Sequence, residues 1–159
     1  MAGHLYIIAT PIGNLDDITR RAINILEQVD LIAAEDTRHS RTLLNYLGID
    51  SKIIAYHEHN EEKLTGQLIE KLNDGISIAL ISDAGTPLIS DPGYKLVSAA
   101  HDANIIVIPV PGASAVIAGL TVSGLFCSKF IFEGYLPTKA VARRNYLRTL
   151  VLESKTLIF

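Results

Sequence analysis

Cysteine is almost absent from this sequence of 159 residues, which has one, Cys127. A single cysteine excludes an internal disulfide and argues against a cysteine-based zinc site. No apolar run approaches the roughly 20 residues of a membrane-spanning helix, and the first residues lack the basic-then-apolar pattern of a secretion signal. We therefore expect a soluble, cytoplasmic protein with no membrane partner.

Three common site motifs are also missing. The sequence contains no G-x-G-x-x-G, no G-x-x-x-x-G-K-[ST] and no G-x-S-x-G. Their absence argues against a Rossmann dinucleotide site, an ATP phosphate loop and a hydrolase nucleophile elbow. What is present is a globular composition, with 48% hydrophobic and 19% charged residues.

Short apolar runs alternate with amphipathic helices through the first 120 residues. The predicted strands are 4–9, 30–34, 52–56, 76–81 and 104–110. Such alternation is typical of an α/β fold with a mostly parallel, doubly wound five-stranded sheet. We expect Asp16 or Asp17 to cap the first helix near Ile18, and Gly48 to end the second.

The texture changes after Gly124, where a strand at 129–133 precedes a basic helix at 138–150 and a last apolar run at 156–159. Residues 1–118 carry eight Lys and Arg against fifteen Asp and Glu, whereas residues 119–159 carry six against two. We predict an N-terminal α/β domain at 1–120, followed by a partial second α/β domain at 121–159, a truncated C-terminal domain.

Loops rich in Gly, Pro and Asp follow four of the predicted strands, at 10–14, 35–38, 82–93 and 111–114. Ligands bind at the carboxyl ends of strands in open α/β sheets, and small residues let a ligand approach the backbone closely. The loops therefore predict a ligand pocket, with 82–93 as one half of it.

Two of the polar segments allow more than one interpretation. His57 and His59 would point to opposite faces of an extended segment, so we predict no metal site there; His57 is either a base or substrate ligand, or part of a solvated helix entrance. The segment 35–38 is either a substrate-orienting cluster or an exposed cap with an ion pair. A basic stripe with Tyr146 can hold phosphates and stack a base; its cations are Lys139, Arg143, Arg144 and Arg148.

Six segments occur in a fixed order: 9–15, 34–38, 57–61, 82–87, 109–115 and 132–137. Together they closely resemble the bacterial ribosomal RNA small subunit methyltransferase I family, within the tetrapyrrole methylase superfamily. The resemblance implies transfer of methyl from S-adenosyl-L-methionine to a ribose 2′-hydroxyl of a cytidine in small-subunit ribosomal RNA, on the 30S particle. It also implies two α/β domains with the donor in the cleft between them, and a homodimer.

The resemblance further implies a set of site residues. Thr86 lies where tetrapyrrole methylases usually have the Asp of Gly-Asp-Pro, which argues against a corrinoid or porphyrin substrate. The implied donor contacts are Pro11, Ile12, Gly85, Thr86, Pro87, Ile89, Ser114 and Ala115. The candidates for base or polarising cation are His57, Glu35, Asp36 and Arg38. The candidates for RNA binding are His59, Asn60 and the basic stripe.

Two alternative functions stay open at this point. The first is a small-molecule methylase of tetrapyrrole or corrinoid type on the same fold. The second is a non-catalytic, dimerising fragment that binds the donor and needs the remainder of a longer protein.

Overall fold

The computed structural model describes residues 2–159, and the first compact unit ends at Ser114. Its strands are β1 Leu5–Ile8, β2 Leu31–Ala34, β3 Ile53–Ala55, β4 Ile78–Ile81 and β5 Val107–Val110. They form one parallel sheet in the order β3-β2-β4-β1-β5. The predicted α/β class with a parallel five-stranded sheet is confirmed.

Helices cover both faces of this sheet: α1 Arg20–Gln28, α2 Thr37–Leu47, α3 Glu61–Asn73 and α4 Tyr94–Asp102. Successive side chains of a strand point to opposite faces, and β4 shows the result. Ile78 and Leu80 pack with α3 and α4, whereas Ala79 and Ile81 pack with α1 and α2. All four residues of β4 are buried, as expected for a strand covered on both faces.

The carboxyl ends of the parallel strands meet at one edge of the sheet. In the observed order, β4 lies between β2 and β1, and β1 lies between β4 and β5. The loops that leave β2, β4, β1 and β5 are therefore neighbours along this edge. These are the four loops that the sequence predicts to form a pocket.

Helix α1 begins later than its predicted start. Leu15–Asp17 form a single 3-10 turn, and Thr19 caps α1 because its hydroxyl accepts the Ala22 N–H at 3.1 Å. The prediction that Asp16 or Asp17 caps this helix is wrong, since both lie inside the earlier turn. The predicted end of α2 is confirmed, because Gly48 takes a φ of 71°, which favours glycine.

The second compact unit runs from Ala115 to Phe159. It contains α5 Ala115–Val122, β6 Phe130–Phe132, α6 Ala140–Thr149 and β7 Thr156–Ile158, and β6 pairs with β7 in parallel. This unit begins a few residues before the boundary predicted at 120, and the domain assignment itself stays a prediction. Within residues 2–159, no helix is long and apolar enough to cross a membrane.

Candidate functional site

The loops after β1 and β4 are joined by backbone hydrogen bonds. The Thr10 N–H donates to the Gly85 carbonyl at 2.9 Å, and the Gly85 N–H donates to the Thr10 carbonyl at 3.0 Å. The buried Thr10 hydroxyl donates to the Ser82 carbonyl at 3.1 Å. A Cβ on Gly85 would lie 3.3 Å from Ile12 Cγ2. Pro11 and Ile12 therefore share one wall with the segment 85–87.

The loop after β5 is tied to the same wall. The Thr86 hydroxyl donates to the Ala113 carbonyl at 3.1 Å. Gly112 passes so close to β1 that a Cβ there would lie 3.0 Å from the Cβ of Ala9. The loops after β1 and β4 are thus close to the loop after β5, at the two residues before Ser114. The residues brought together are Pro11, Ile12, Gly85, Thr86, Gly112 and Ala113. Ala115 opens α5 in the second unit.

The second half of the loop after β4 has two residues with positive φ, and packing holds it in place. Leu88 has a φ of 76° and Gly93 a φ of 139°, and positive φ is costly for a residue such as leucine. Leu88 packs against the core on the α3 and α4 face, which holds its backbone in this conformation. The turn leaves Ile89 58% exposed at the loop's tip, where a ligand can contact its side chain.

The loop after β2 is linked to the β4 loop and holds an ion pair. The Asp36 N–H donates to Asp83 Oδ1 at 3.1 Å. The Asp36 carboxylate caps α2 by accepting the Arg38 N–H at 2.8 Å, and also accepts Arg38 Nε and Nη2 at 3.2 and 2.7 Å. These hydrogen bonds from Arg38 hold the pKa of Asp36 well below its usual range. The Asp36 carboxylate is therefore occupied by hydrogen bonds from Arg38. It orients the guanidinium of Arg38, a side chain that is 90% exposed.

Glu35 belongs to a group of carboxylates at the same edge. Burial raises the pKa of the Glu35 carboxyl, and the charges of Asp91 and Asp83 raise it further. Burial also raises the pKa of Asp91, with a further contribution from the charge of Asp83. Glu35 is among the site residues predicted from the sequence, whereas Asp91 is not. Asp91 could have been predicted from its position. It lies in the loop after β4, and β4 is adjacent in the sheet to β2, the strand that Glu35 follows.

The segment after β3 turns at once. The N–H groups of Asn60 and Glu61 both donate to the His57 carbonyl at 2.9 Å. The turn brings the rings of His57 and His59 edge to face, with centroids 5.8 Å apart. The expectation that the two rings point to opposite faces is therefore wrong, because the extended backbone ends before His57. In residues 2–159, no three His, Cys, Asp or Glu side chains are grouped as metal ligands.

The sequence profile of the tetrapyrrole (corrin/porphyrin) methylases matches residues 4–159 of this chain. The chain belongs to that family. The family resemblance read from the six ordered segments is thereby confirmed.

Three relatives carry the name ribosomal RNA small subunit methyltransferase I. The proteins from Pasteurella multocida, Haemophilus influenzae and Escherichia coli O157:H7 are 57%, 55% and 52% identical over 99–100% of this chain. The chain spans only 55–57% of each relative's length. The similarity thus covers the whole of this chain and about half of theirs.

Two solved structures share the fold. A uroporphyrin-III-C-methyltransferase from Thermus thermophilus has a TM-score of 0.64 at 22% identity, covering 83% of this chain and 60% of its own. A conserved hypothetical protein from Aeropyrum pernix has a TM-score of 0.68 at 19% identity, covering 92% and 54%. At these identities the likeness shows the fold alone.

A small pocket of about 30 Å³ opens beside the bridged loops that follow β1 and β4. That volume suits a single water molecule. His39 and Ser40 are not predicted from the sequence, because helical spacing places them on α2 but does not show what α2 packs against. The pocket is lined by Pro11, Leu15, His39, Ser40, Leu43, Ser82 and Asp83.

In the second unit, the basic side chains of α6 fall into two groups. Arg143 donates to the carbonyls of Pro137 and Thr138 at 3.5 and 3.3 Å, so it braces the start of its own helix. Arg144 and Arg148 lie four residues apart, on one helix face. They line an open groove of about 380 Å³ together with Ala140, Arg143, Leu147 and Val151.

Tyr146 lies on α6 as well, but its hydroxyl donates to the Glu133 carboxylate. Lys139 immediately precedes the helix and makes no side-chain capping bond. This hydrogen bond restrains the Tyr146 ring and argues against the prediction that the ring stacks a base. The cations that remain available are therefore Lys139, just before α6, and Arg144 and Arg148 on the helix.

Proposed function

We propose that this chain forms the donor-binding part of an S-adenosyl-L-methionine-dependent methyltransferase. Its acceptor would be the ribose 2′-hydroxyl of a cytidine in small-subunit ribosomal RNA, within the 30S particle. The observation that carries the proposal is the single wall made by the loops after β1, β4 and β5. The names of the relatives at 52–57% identity support the choice of RNA.

The chemistry of this edge suits the donor. The sulfonium and the α-amino group of S-adenosylmethionine are positive, and Glu35, Asp83 and Asp91 supply negative charge beside the wall. Ile12 and the exposed Ile89 offer apolar surface for a flat base. The donor, when bound, supplies a methyl group that the sulfonium already activates. The residues proposed to hold it are Pro11, Ile12, Gly85, Thr86, Pro87, Ile89, Ser114 and Ala115.

Two side chains are suited to activate a ribose hydroxyl, which is a weak nucleophile. The raised pKa of Glu35 makes its carboxylate a stronger base than an ordinary glutamate. Arg38 is held by Asp36 with part of its guanidinium exposed, which suits it to polarise the acceptor. We assign Glu35 as the base and the Asp36–Arg38 pair as the cationic group. The protein's main contribution remains the alignment of donor and acceptor.

The RNA would be held mainly by basic side chains of the second unit. Lys139, Arg144 and Arg148 provide positive charge for phosphates, with Arg143 beside them. His59 is exposed in the loop after β3 and can contact the acceptor nucleotide. We also propose that the protein works in the cytoplasm as a homodimer.

A tetrapyrrole-type substrate is the second candidate, because the matching family is that of the tetrapyrrole (corrin/porphyrin) methylases. Thr86 argues against it. Its hydroxyl is bonded to the Ala113 carbonyl, so this position supplies a brace between two loops and no carboxylate.

The test is methyl transfer from methyl-labelled S-adenosylmethionine to 30S particles, followed by mapping of the modified sugar. We would assay the chain alone and a chimera in which it replaces the matching segment of the Pasteurella multocida relative. Label on a cytidine 2′-oxygen with the chimera supports the proposal. Label on a porphyrin and never on RNA would overturn it.

The chain alone also separates catalysis from donor binding. If calorimetry shows that it binds S-adenosylmethionine while only the chimera transfers methyl, the chain is a donor-binding part that needs the remainder of the enzyme. If neither protein binds the donor, the proposal fails at its first step.

A further inference from the structure

Asn60 occupies the position just before α3, where an asparagine side chain commonly caps a helix. Here it makes no capping bond to α3. Its side chain turns back into the loop after β3. The Oδ1 atom accepts the His57 N–H at 2.9 Å, and Nδ2 donates to the Ala55 carbonyl at 3.0 Å. Nδ2 also lies 3.3 Å from Nε2 of the His57 ring.

These contacts determine which way the amide points. A backbone N–H can only donate and a backbone carbonyl can only accept, so Oδ1 must face His57 N and Nδ2 must face Ala55 O. Nδ2 is therefore the atom beside the His57 ring. The lone pair of an amide nitrogen is delocalised into the carbonyl, so Nδ2 only donates and Nε2 has to be the acceptor. In a neutral imidazole the single hydrogen then lies on Nδ1.

The other ring nitrogen is covered. His57 Nδ1 is shielded from solvent and has no hydrogen-bond partner among residues 2–159. A general base needs a lone pair that can reach the proton it removes. The one lone pair of the neutral ring faces Asn60, and the opposite nitrogen carries the hydrogen.

We propose that Asn60 is a positioning residue that holds His57 as the neutral tautomer with hydrogen on Nδ1. The Nε2 lone pair of this tautomer accepts from Asn60, so it is not available to remove a proton from an acceptor. This part of the inference stands on the loop geometry. Its consequence for catalysis, which leaves Glu35 as the base, rests on the proposed function.

The test is a long-range ¹H–¹⁵N correlation spectrum of the chain labelled with ¹⁵N-histidine, at a pH where the ring is neutral. We expect Nδ1 of His57 at the shift of a protonated ring nitrogen and Nε2 at the shift of an unprotonated one. His59 and His101, both exposed, serve as internal references. Hydrogen on Nε2 of His57, or averaging of its two nitrogens like that of an exposed ring, would overturn the proposal.

Asn60→Asp sharpens the test, because a carboxylate only accepts hydrogen bonds. The variant can donate neither to the Ala55 carbonyl nor to Nε2 of His57, so the preference for hydrogen on Nδ1 should be lost and the His57 shifts should change. Asn73→Asp, the same change at the exposed end of α3, should leave the His57 shifts unchanged. An Asn60→Asp spectrum with unchanged His57 shifts contradicts the assignment.

Should Asn60→Asp fail to fold, the spectrum of the unmodified chain still decides the tautomer. The readout involves no donor and no RNA. An absence of methyl transfer would therefore overturn the proposed function and leave the tautomer assignment standing. A different tautomer would overturn that assignment and leave the proposed function standing.

Discussion

Two glycines of the first unit show how differently one residue type can contribute. Gly93 has a φ of 139°, and a Cβ there would lie 2.8 Å from Leu80 Cδ2 and 3.0 Å from Leu88 Cδ1. Gly66 lies inside α3, and a Cβ there would meet nothing within 4 Å beyond the backbone of its own helix. The first glycine is required by backbone and packing, whereas the second only adds conformational freedom to the unfolded chain.

We predict opposite effects of alanine at these two positions. Gly93→Ala should lower the free energy of unfolding by about 2–4 kcal/mol, because the new methyl meets the buried Leu80 and the half-buried Leu88 at a strained φ. Gly66→Ala should raise it by about 0.5–1 kcal/mol, because alanine favours the helix. Urea unfolding measures both. Equal effects at the two sites would mean that the β4 loop does not have this conformation.

The effect on donor binding should follow the same division. Gly93→Ala displaces Leu88 and the loop that presents Ile89, so its affinity for S-adenosylmethionine should fall, while that of Gly66→Ala should stay unchanged. Calorimetry on folded protein tests this. Unchanged affinity in Gly93→Ala would remove the β4 loop from the donor site.

At the scale of elements, the loops after β2 and β4 meet through their carboxylates. Glu35 has a raised pKa in the folded protein because of burial and the charges of Asp91 and Asp83. Its contribution to stability is therefore fully present below its unfolded pKa and is lost as the pH rises through the folded pKa. At neutral pH the ionised cluster destabilises the fold.

Glu35→Gln should accordingly stabilise the protein at pH 7, by about 0.5 kcal/mol because the group is partly solvated. The gain should be constant well above the folded pKa of Glu35 and should shrink as the pH falls through that pKa toward the ordinary value of 4.5. Urea unfolding at several pH values measures it, with Glu27→Gln on the exposed side of α1 as the control for loss of one carboxylate. A gain that grows toward low pH has the wrong sign and contradicts the electrostatic account.

Helix α6 gives the second prediction at this scale. Replacing both Arg144 and Arg148 by alanine should weaken binding to ribosomal RNA and reduce the slope of log K against log salt by roughly 1.5–2, because two phosphate contacts are lost. Arg143→Ala should reduce it less, since that side chain bonds to Pro137 and Thr138. Filter binding at several salt concentrations measures the slopes.

The matched control removes the same charge elsewhere. Arg20→Ala with Arg21→Ala deletes two exposed arginines from α1 in the first unit. This pair should leave the salt slope nearly unchanged. Equal slopes for both double variants would show that net charge, and not the α6 surface, governs RNA binding.

The sequence predicts the sheet well and the loop geometry poorly, and the reason is physical. Strand β4 is recognisable because it is buried on both faces and therefore continuously apolar. Thr19 and Asp16 are both good caps by residue type, and only the 3-10 turn at Leu15–Asp17 decides between them. Likewise, nothing local in the segment after β3 shows that Asn60 bonds to His57 instead of capping α3.

For the whole molecule, charge and burial divide between the two units. The first unit carries eight Lys and Arg against fifteen Asp and Glu, and the second carries six against two. Both clusters of buried apolar side chains lie within the first unit. Among residues 115–159, Leu120 is the one buried hydrophobic side chain. The first unit therefore has its own core, and the second has almost none.

We predict that residues 1–114 fold cooperatively on their own and that residues 115–159 do not. A core that lies entirely within one segment can support independent folding, whereas a two-stranded sheet with two helices buries too little apolar surface. Circular dichroism with urea unfolding should show one transition for 1–114, with an m-value slightly below that of the full chain. Loss of cooperativity on removing 115–159 would show that the first unit depends on the second, and a folded 115–159 peptide would contradict the other half of the prediction.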